Sequence, residues 1–185
     1  MKGNVKGRPN PQGESPMISG SAYIDPTALL VGKVIVGDEV FIGPCAVLRA
    51  DEPESSIEIG EGSNVQDGVI IHALKGSSVV IGRRASLAHG CIIHGPCRIG
   101  DGCFVGFGSV IFNASIGDGT VIRQVAVVEG VEVDAGRLVA SGSVVDTPEK
   151  ALRLADLDDQ AGEFARRVAD MNLELSRAYR KMSGG

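Results

Sequence analysis

Residues 81–116 read IGRRAS LAHGCI IHGPCR IGDGCF VGFGSV IFNAS I, and an aliphatic residue opens each block: Ile81, Leu87, Ile93, Ile99, Val105, Ile111 and Ile116. Outward from this stretch the same spacing appears earlier, at Ile18, Ile24, Leu30, Val36, Ile42 and Leu48, and again at Ile59, Val65 and Ile71. It continues through Ile122 and Val128 and ends at Val133, Val139 and Val145. Gly often follows the aliphatic, as in IGEGSN and IGDGTV. An α-helix repeats every 3.6 residues and cannot hold a period of six without drifting. Short strands joined by Gly-assisted corners can.

A six-residue period sustained in this way reads as a parallel β-helix over residues 17–147. Three hexapeptides make one triangular coil of about 18 residues, with each aliphatic pointing into the prism. The left hand is taken from known hexapeptide proteins, because it runs against the right-handed preference of parallel crossovers. Cys91, Cys97 and Cys103 fall at the fourth place after an aliphatic, where a small residue fits an inner corner. With Cys45 they form no CxxC spacing, so packing is expected of them rather than disulfides or a metal cluster.

The two ends break the period. Residues 1–16 are rich in Gly, Pro, Asn and Lys and read as a loose tail. From Pro148 to residue 185 the pattern is helical. Phe164, Val168, Met171, Leu175 and Tyr179 form one apolar stripe, which is expected to lie along the prism wall.

Composition agrees with a narrow interior. The 185 residues include 26 Gly, no Trp and only 4% aromatics, so the core must close on Val, Ile, Leu, Ala and Cys. A net charge of −5 provides no basic patch for nucleic acid. No apolar run reaches the roughly 18 residues of a membrane span, and the opening does not read as a signal peptide. A cytoplasmic protein is expected.

The repeat also assigns each residue an address. With walls A, B and C in chain order from Ile42, Leu48 falls on B, and a five-residue insertion precedes Ile59 on C. Val65 is again on A and Ile71 on B, and a four-residue insertion at the same corner precedes Ile81. Arg49, His72 and His94 each follow the inward aliphatic of wall B and so point outward, stacked about 4.8 Å apart. Asp67 and His89 each lie two places after the aliphatic of wall A, near the corner leading to B.

All three histidines of the chain therefore gather around one edge. Three imidazoles with a fourth position left to water are the ligands expected of catalytic zinc. The outward directions of walls A and B diverge, so His89 is expected to reach the His72–His94 pair of a neighbouring copy. A head-to-tail contact that closes after three copies gives a homotrimer with three interfacial sites.

At this point the residues resemble a family. The segments Arg49-Ala50-Asp51-Glu52, Asn64-Val65-Gln66-Asp67-Gly68, Ile71-His72-Ala73-Leu74 and Leu87-Ala88-His89-Gly90-Cys91-Ile92-Ile93-His94-Gly95-Pro96 resemble gamma-class carbonic anhydrase motifs. The likeness runs from about Ile18 through the C-terminal helix, and the carboxysomal and short-loop members are the most similar in pattern. It implies that His72, His89 and His94 hold a metal, Zn2+ by default with Fe2+ or Co2+ also fitting. It implies an ion pair between Arg49 and Asp67 at the subunit boundary, and catalytic roles for Glu52, Gln66 and Asn172, with Glu52 the first proton acceptor. The implied reaction is the reversible hydration of carbon dioxide to bicarbonate, a lyase activity.

Two positions depart from the family pattern. Lys75 stands where the archetype begins an acidic loop with a proton-shuttling Glu, and the loop here is only Lys75-Gly76-Ser77-Ser78. Glu54 is the nearest acidic alternative. Asp170 stands where some members have Tyr, two residues before the helix Asn. Two other readings stay open: a metal-binding scaffold of the same family with little catalysis, and a hexapeptide acyltransferase using one His as base and coenzyme A between subunits.

Overall fold

A computed structural model describes residues 7–182. The chain winds through three sheets of short strands, eight strands on wall A, seven on wall C and eight on wall B, each sheet keeping chain order. The expected register holds strand by strand. Ile42, Val65 and Leu87 stack on wall A, Leu48, Ile71 and Ile93 on wall B, and Ile59, Ile81 and Ile99 on wall C. All nine are buried. Each such side chain contributes about 1.5–3 kcal/mol, so the coils are held by one continuous aliphatic column.

Both insertions fall at the corner between walls B and C. One separates Val47–Ala50 from Ser56–Ile59, and the other separates Ile70–His72 from Ser78–Ile81. The cysteines behave as packing residues. All four are free, Cys91, Cys97 and Cys103 are buried and Cys45 is exposed. Burial pushes the Cys91 thiol up to about 12 and that of Cys103 to about 11.

The three walls differ on their outer surfaces. On wall C the outward residues preceding the aliphatics include Glu58, Val80, Arg98, Ser115 and Glu132, a mixed solvent face. On wall A they include Tyr23, Phe41, Asn64, Ser86, Phe104 and Val121, and a helix covers them. On wall B they are Leu29, Val47, Ile70, Ile92, Val110, Val127 and Val144. Nothing in the described chain covers this apolar column, and Ile70 and Val144 are 42% and 50% exposed.

The C-terminal segment is built in three pieces rather than as one continuous helix. Helix α1, Pro148–Leu152, starts at Thr147, whose hydroxyl accepts from Lys150 N at 3.3 Å. Ala155–Asp156 then pairs antiparallel with Arg137–Leu138. Helix α2, Asp159–Met182, runs along wall A.

Of the expected apolar stripe only Val168 packs into the face of α2 pressed to the wall. Ala161, Ala165, Ala169 and Ser176 are buried, whereas Phe164, Met171, Leu175 and Tyr179 keep a third or more of their surface exposed. Small residues let the helix axis approach the wall, and the large ones splay to its edges. Phe164 meets Phe104 edge-on at 5.3 Å and Tyr179 stacks on Tyr23 at 4.9 Å.

The opening segment also differs from the expected loose tail. Gly7–Arg8 pairs in parallel with Leu30–Val31, and Asn10 is buried. Asn10 Nδ2 donates to Ala50 O at 3.2 Å, and Asn10 Oδ1 accepts from Glu14 N at 2.9 Å. One side-chain amide thus ties the opening segment to the first coils. Residues 1–6 lie outside the described chain.

Candidate metal centre

Parallel pairing sets the first half of the site. Arg49, His72 and His94 are direct register partners on wall B, followed by Phe112 on the next coil. Alternation along Ile70–His72 buries Ile71 and turns His72 outward. His72 Nδ1 and His94 Nε2 are 3.1 Å apart, with their rings at 74°. The remaining nitrogens, His72 Nε2 and His94 Nδ1, are buried without a hydrogen-bond partner. Phe112 closes the far side, edge-on to His94 at 5.3 Å.

Two carboxylates reach this pair from the loop after Val47–Ala50. Asp51 Oδ1 lies 3.5 Å from His72 Nε2, and Glu52 Oε1 lies 3.6 Å from the same atom. Arg49 grips Asp51 through Nε and Nη2, at 3.1 and 3.3 Å. The Asp51 carboxyl is held below its usual range: burial works against this, but the hydrogen bond and the charge of Arg49 outweigh it. His72 is pushed below the usual imidazole value, first by burial and then by the charges of Arg49 and His94, while Asp51 and Glu52 oppose the shift. Burial prevails, which favours the neutral form that a metal ligand requires.

The second half stands at the corner from wall A to wall B. His89 is 55% exposed, its Nδ1 is 3.4 Å from Asp67 Oδ2, and its ring stacks on Phe107 at 5.5 Å. Gln66 Nε2 donates to Asn64 Oδ1 at 2.9 Å, and Asn64 Nδ2 donates to Ser86 Oγ at 2.8 Å. Asn172 Nδ2 donates to Val168 O at 2.9 Å within α2. Gln66, His89 and Asn172 line one cavity of about 430 Å3, whose other walls are mostly apolar: Phe104, Phe107, Phe164, Met171 and Leu175.

The expected residues therefore fall into two groups. His72, His94, Arg49 and Glu52 meet on wall B, and His89, Asp67, Gln66 and Asn172 meet at the corner beside α2. Within one chain Arg49 pairs with Asp51 and not with Asp67. Among the described residues no three His, Cys, Asp or Glu side chains of one chain come together to hold an ion.

Comparison with known proteins places this arrangement. Residues 78–113 match the bacterial transferase hexapeptide family, six repeats. A carbonic anhydrase of Methanosarcina thermophila is 34% identical over 94% of this chain and 78% of its own length. The chain belongs to the gamma-class carbonic anhydrase family of hexapeptide-repeat proteins. Its solenoid matches the left-handed β-helix of that family.

Other family relatives carry different names. A carboxysome assembly protein of Nostoc is 38% identical over 86% of this chain, which spans only 30% of that protein's length. A carnitine operon protein of Escherichia coli is 36% identical over 80% of this chain and 72% of its own length. A solved structure of a hexapeptide transferase family protein from Anaplasma phagocytophilum superimposes with a TM-score of 0.80 at 28% identity, covering 95% of this chain and 98% of that one.

A carbonic anhydrase homologue implies a metal, and the wall B residues fit one. Two imidazoles stacked on adjacent coils, their facing nitrogens 3.1 Å apart, supply ligands of the kind such an ion needs, and a carboxylate-rich loop beside them suits its charge. The sequence reading overlooked Asp51, which links Arg49 to His72, and Asn64, which orients Gln66. Both lie inside the quoted motifs, one and two residues from assigned positions. Phe107 and Phe112 were also overlooked, although they occupy the columns of His89 and His94 one coil further on. Asp170 has a structural contact, an ion pair with Arg84 that ties α2 to the solenoid.

Proposed function

We propose that this chain catalyses the metal-dependent, reversible hydration of carbon dioxide to bicarbonate and a proton, at sites shared between three copies. The observation that carries the reading is the His72–His94 pair, its facing nitrogens 3.1 Å apart, set in a wall whose outer apolar column the described residues leave uncovered. A neighbour docked there buries Val47, Ile70, Ile92 and Val127 and brings its His89 to the pair. Arg49 and Asp67 are both about half exposed in one chain, where Arg49 holds Asp51 and Asp67 faces His89, and they would pair with each other across that boundary.

His72, His89 and His94 would hold the ion, zinc by default and iron or cobalt by ligand chemistry. When bound, such an ion supplies hydroxide at neutral pH by acidifying water. The mostly apolar walls of the cavity beside His89 suit an uncharged, linear substrate. Gln66 and Asn172, each with its amide oriented by a hydrogen bond, provide fixed polar contacts in that cavity. Glu52 accepts the released proton, because its carboxylate reaches toward His72 from an open loop. The protein is expected to act in the cytoplasm, and among the described residues no helix is long and apolar enough to cross a membrane.

Stopped-flow hydration of carbon dioxide by the zinc-loaded protein tests the reading. The expected result is turnover that depends on the metal and is lost in His72→Ala. The likeness to a carboxysome assembly protein favours a second reading, a metal-binding scaffold. No turnover with zinc or iron bound, in any buffer, would select it.

A further inference from the structure

The two insertions at the corner from wall B to wall C are bonded to each other. Gly76 N donates to Pro53 O at 3.0 Å, and Ser56 N donates to Ser77 O at 3.2 Å. The later loop also closes on itself, since Ser77 N and Ser77 Oγ both donate to Leu74 O, at 3.0 and 2.8 Å. The earlier loop closes where Ser55 Oγ donates to Glu52 O at 2.7 Å. Inside this frame Lys75 N donates to Glu52 Oε2 at 2.7 Å, while Glu52 Oε1 faces His72 Nε2 at 3.6 Å.

We propose that the main-chain amide of Lys75 is a positioning group: it holds one oxygen of Glu52 so that the other faces the His72–His94 pair. The inference rests on the hydration reading above. Glu52 is 38% exposed on a loop, where a free Glu side chain samples several rotamers. An amide donating to a carboxylate makes a short, charge-assisted bond that selects one of them. The donor itself cannot swing away, because Leu74, Gly76 and Ser77 are each bonded around it. The lysine side chain is not required, and any residue except proline supplies the donor. Fixing a reacting group in advance is worth rate without changing substrate affinity.

Two readouts test this. Amide hydrogen exchange needs no activity: Lys75 should exchange at least about tenfold more slowly in the native protein than in Glu52→Ala. Gly76 and Ser77, bonded to Pro53 and Leu74, should exchange alike in both, and Glu52→Gln should keep Lys75 protected. Hydration kinetics of the zinc-loaded protein give the second readout. Lys75→Pro should lower kcat about tenfold with KM within about twofold, and Lys75→Ala, which keeps the N–H, should rescue it. Equal Lys75 exchange with and without Glu52 overturns the clamp, even in an active enzyme. Native kcat in Lys75→Pro, or equal losses in the Pro and Ala variants, overturns the positioning role. An inactive native protein whose Lys75 exchange still depends on Glu52 overturns the hydration reading, and the catalytic role with it, while leaving the bond itself established.

Discussion

His72 Nδ1 and His94 Nε2 stand 3.1 Å apart on adjacent coils of wall B, and the other nitrogen of each ring is buried without a hydrogen-bond partner. Strand register imposes this, since His72 pairs directly with His94 in the parallel ladder. A buried polar atom without a hydrogen bond costs about 1–3 kcal/mol, and for His72 Nε2 the nearby Asp51 and Glu52 carboxylates offset part of it.

Metal content is the first consequence. His94→Ala should lose most of its zinc after dialysis, measured by elemental analysis, because two imidazoles make a poor site. His89→Ala should lose as much, although His89 belongs to the other group of residues in one chain. Zinc at 100 times its Kd should add about 2.7 kcal/mol to the native stability, a gain that a chelator removes. Full metal retention by either variant would place the ion elsewhere.

Assembly is the second. Light scattering should report a mass of about three chains, and Ile70→Asp should reduce it. Ile70 is outward and 42% exposed in a single chain, so a charge there costs a monomer little. In a trimer the same charge is buried against a neighbour without a partner. A native-size particle from Ile70→Asp, or a stable metal-loaded monomer from the native chain, would refute the shared site.

Much of this was legible because a solenoid converts sequence spacing into position. The period of six placed Arg49, His72 and His94 in one column before any coordinates, and the pairings agree residue by residue. Where the period stops, sequence failed in identifiable ways. The α2 stripe marked the larger residues, of which Val168 packs against the wall, but a wall already carrying Phe104 and Tyr23 fully buries only small residues beneath the helix axis: Ala161, Gly162, Ala165, Ala169 and Ser176. The tail expectation weighed polarity and could not foresee that Asn10 would cap Ala50 O across 40 residues. Asp51 escaped notice because its partners, Arg49 and His72, come from different coils.

Gly32 tests the docking of that opening segment. Its φ is +78°, and an added Cβ would lie 1.9 Å from Ala50 O and 3.1 Å from the Asn10 side chain. Backbone cannot yield as a flexible side chain can. Gly32→Ala should therefore cost at least about 2 kcal/mol, read as a lower denaturant midpoint at unchanged slope, from left-handed strain plus the clash.

The pH dependence of the metal-free protein follows from His72. Its folded value is depressed by burial, so as pH falls through the ordinary imidazole value of about 6.5 the unfolded chain binds the proton first. Stability present above that pH should decline below it, until the folded state also protonates. His72→Gln should flatten this part of the profile in thermal melts from pH 7.5 to 5. An unchanged slope would show that another group carries the effect.

Proton removal sets the last prediction. Hydration has two halves, attack on carbon dioxide and loss of a proton to regenerate the attacking group, and the slower half limits turnover. Glu52 can take the proton, but Lys75 stands where the family archetype has a shuttling carboxylate. A lysine ammonium offers three donors and no acceptor. Glu54, the other acid of this corner, sits at a turn residue with φ of +59° and is exposed, with no bond to Glu52 among those described. Export should therefore depend on the solvent, and turnover should rise severalfold with imidazole-type buffer, which carries the proton directly. Lys75→Glu keeps the main-chain amide to Glu52 and adds the missing acceptor, so it should raise the rate at low buffer and shrink the buffer response. Glu54→Gln should do little at saturating buffer and more without it, if Glu54 relays any protons. A native rate that is already fast and indifferent to buffer would mean that Glu52 delivers protons to water unaided, and Lys75 would then be no obstacle at all.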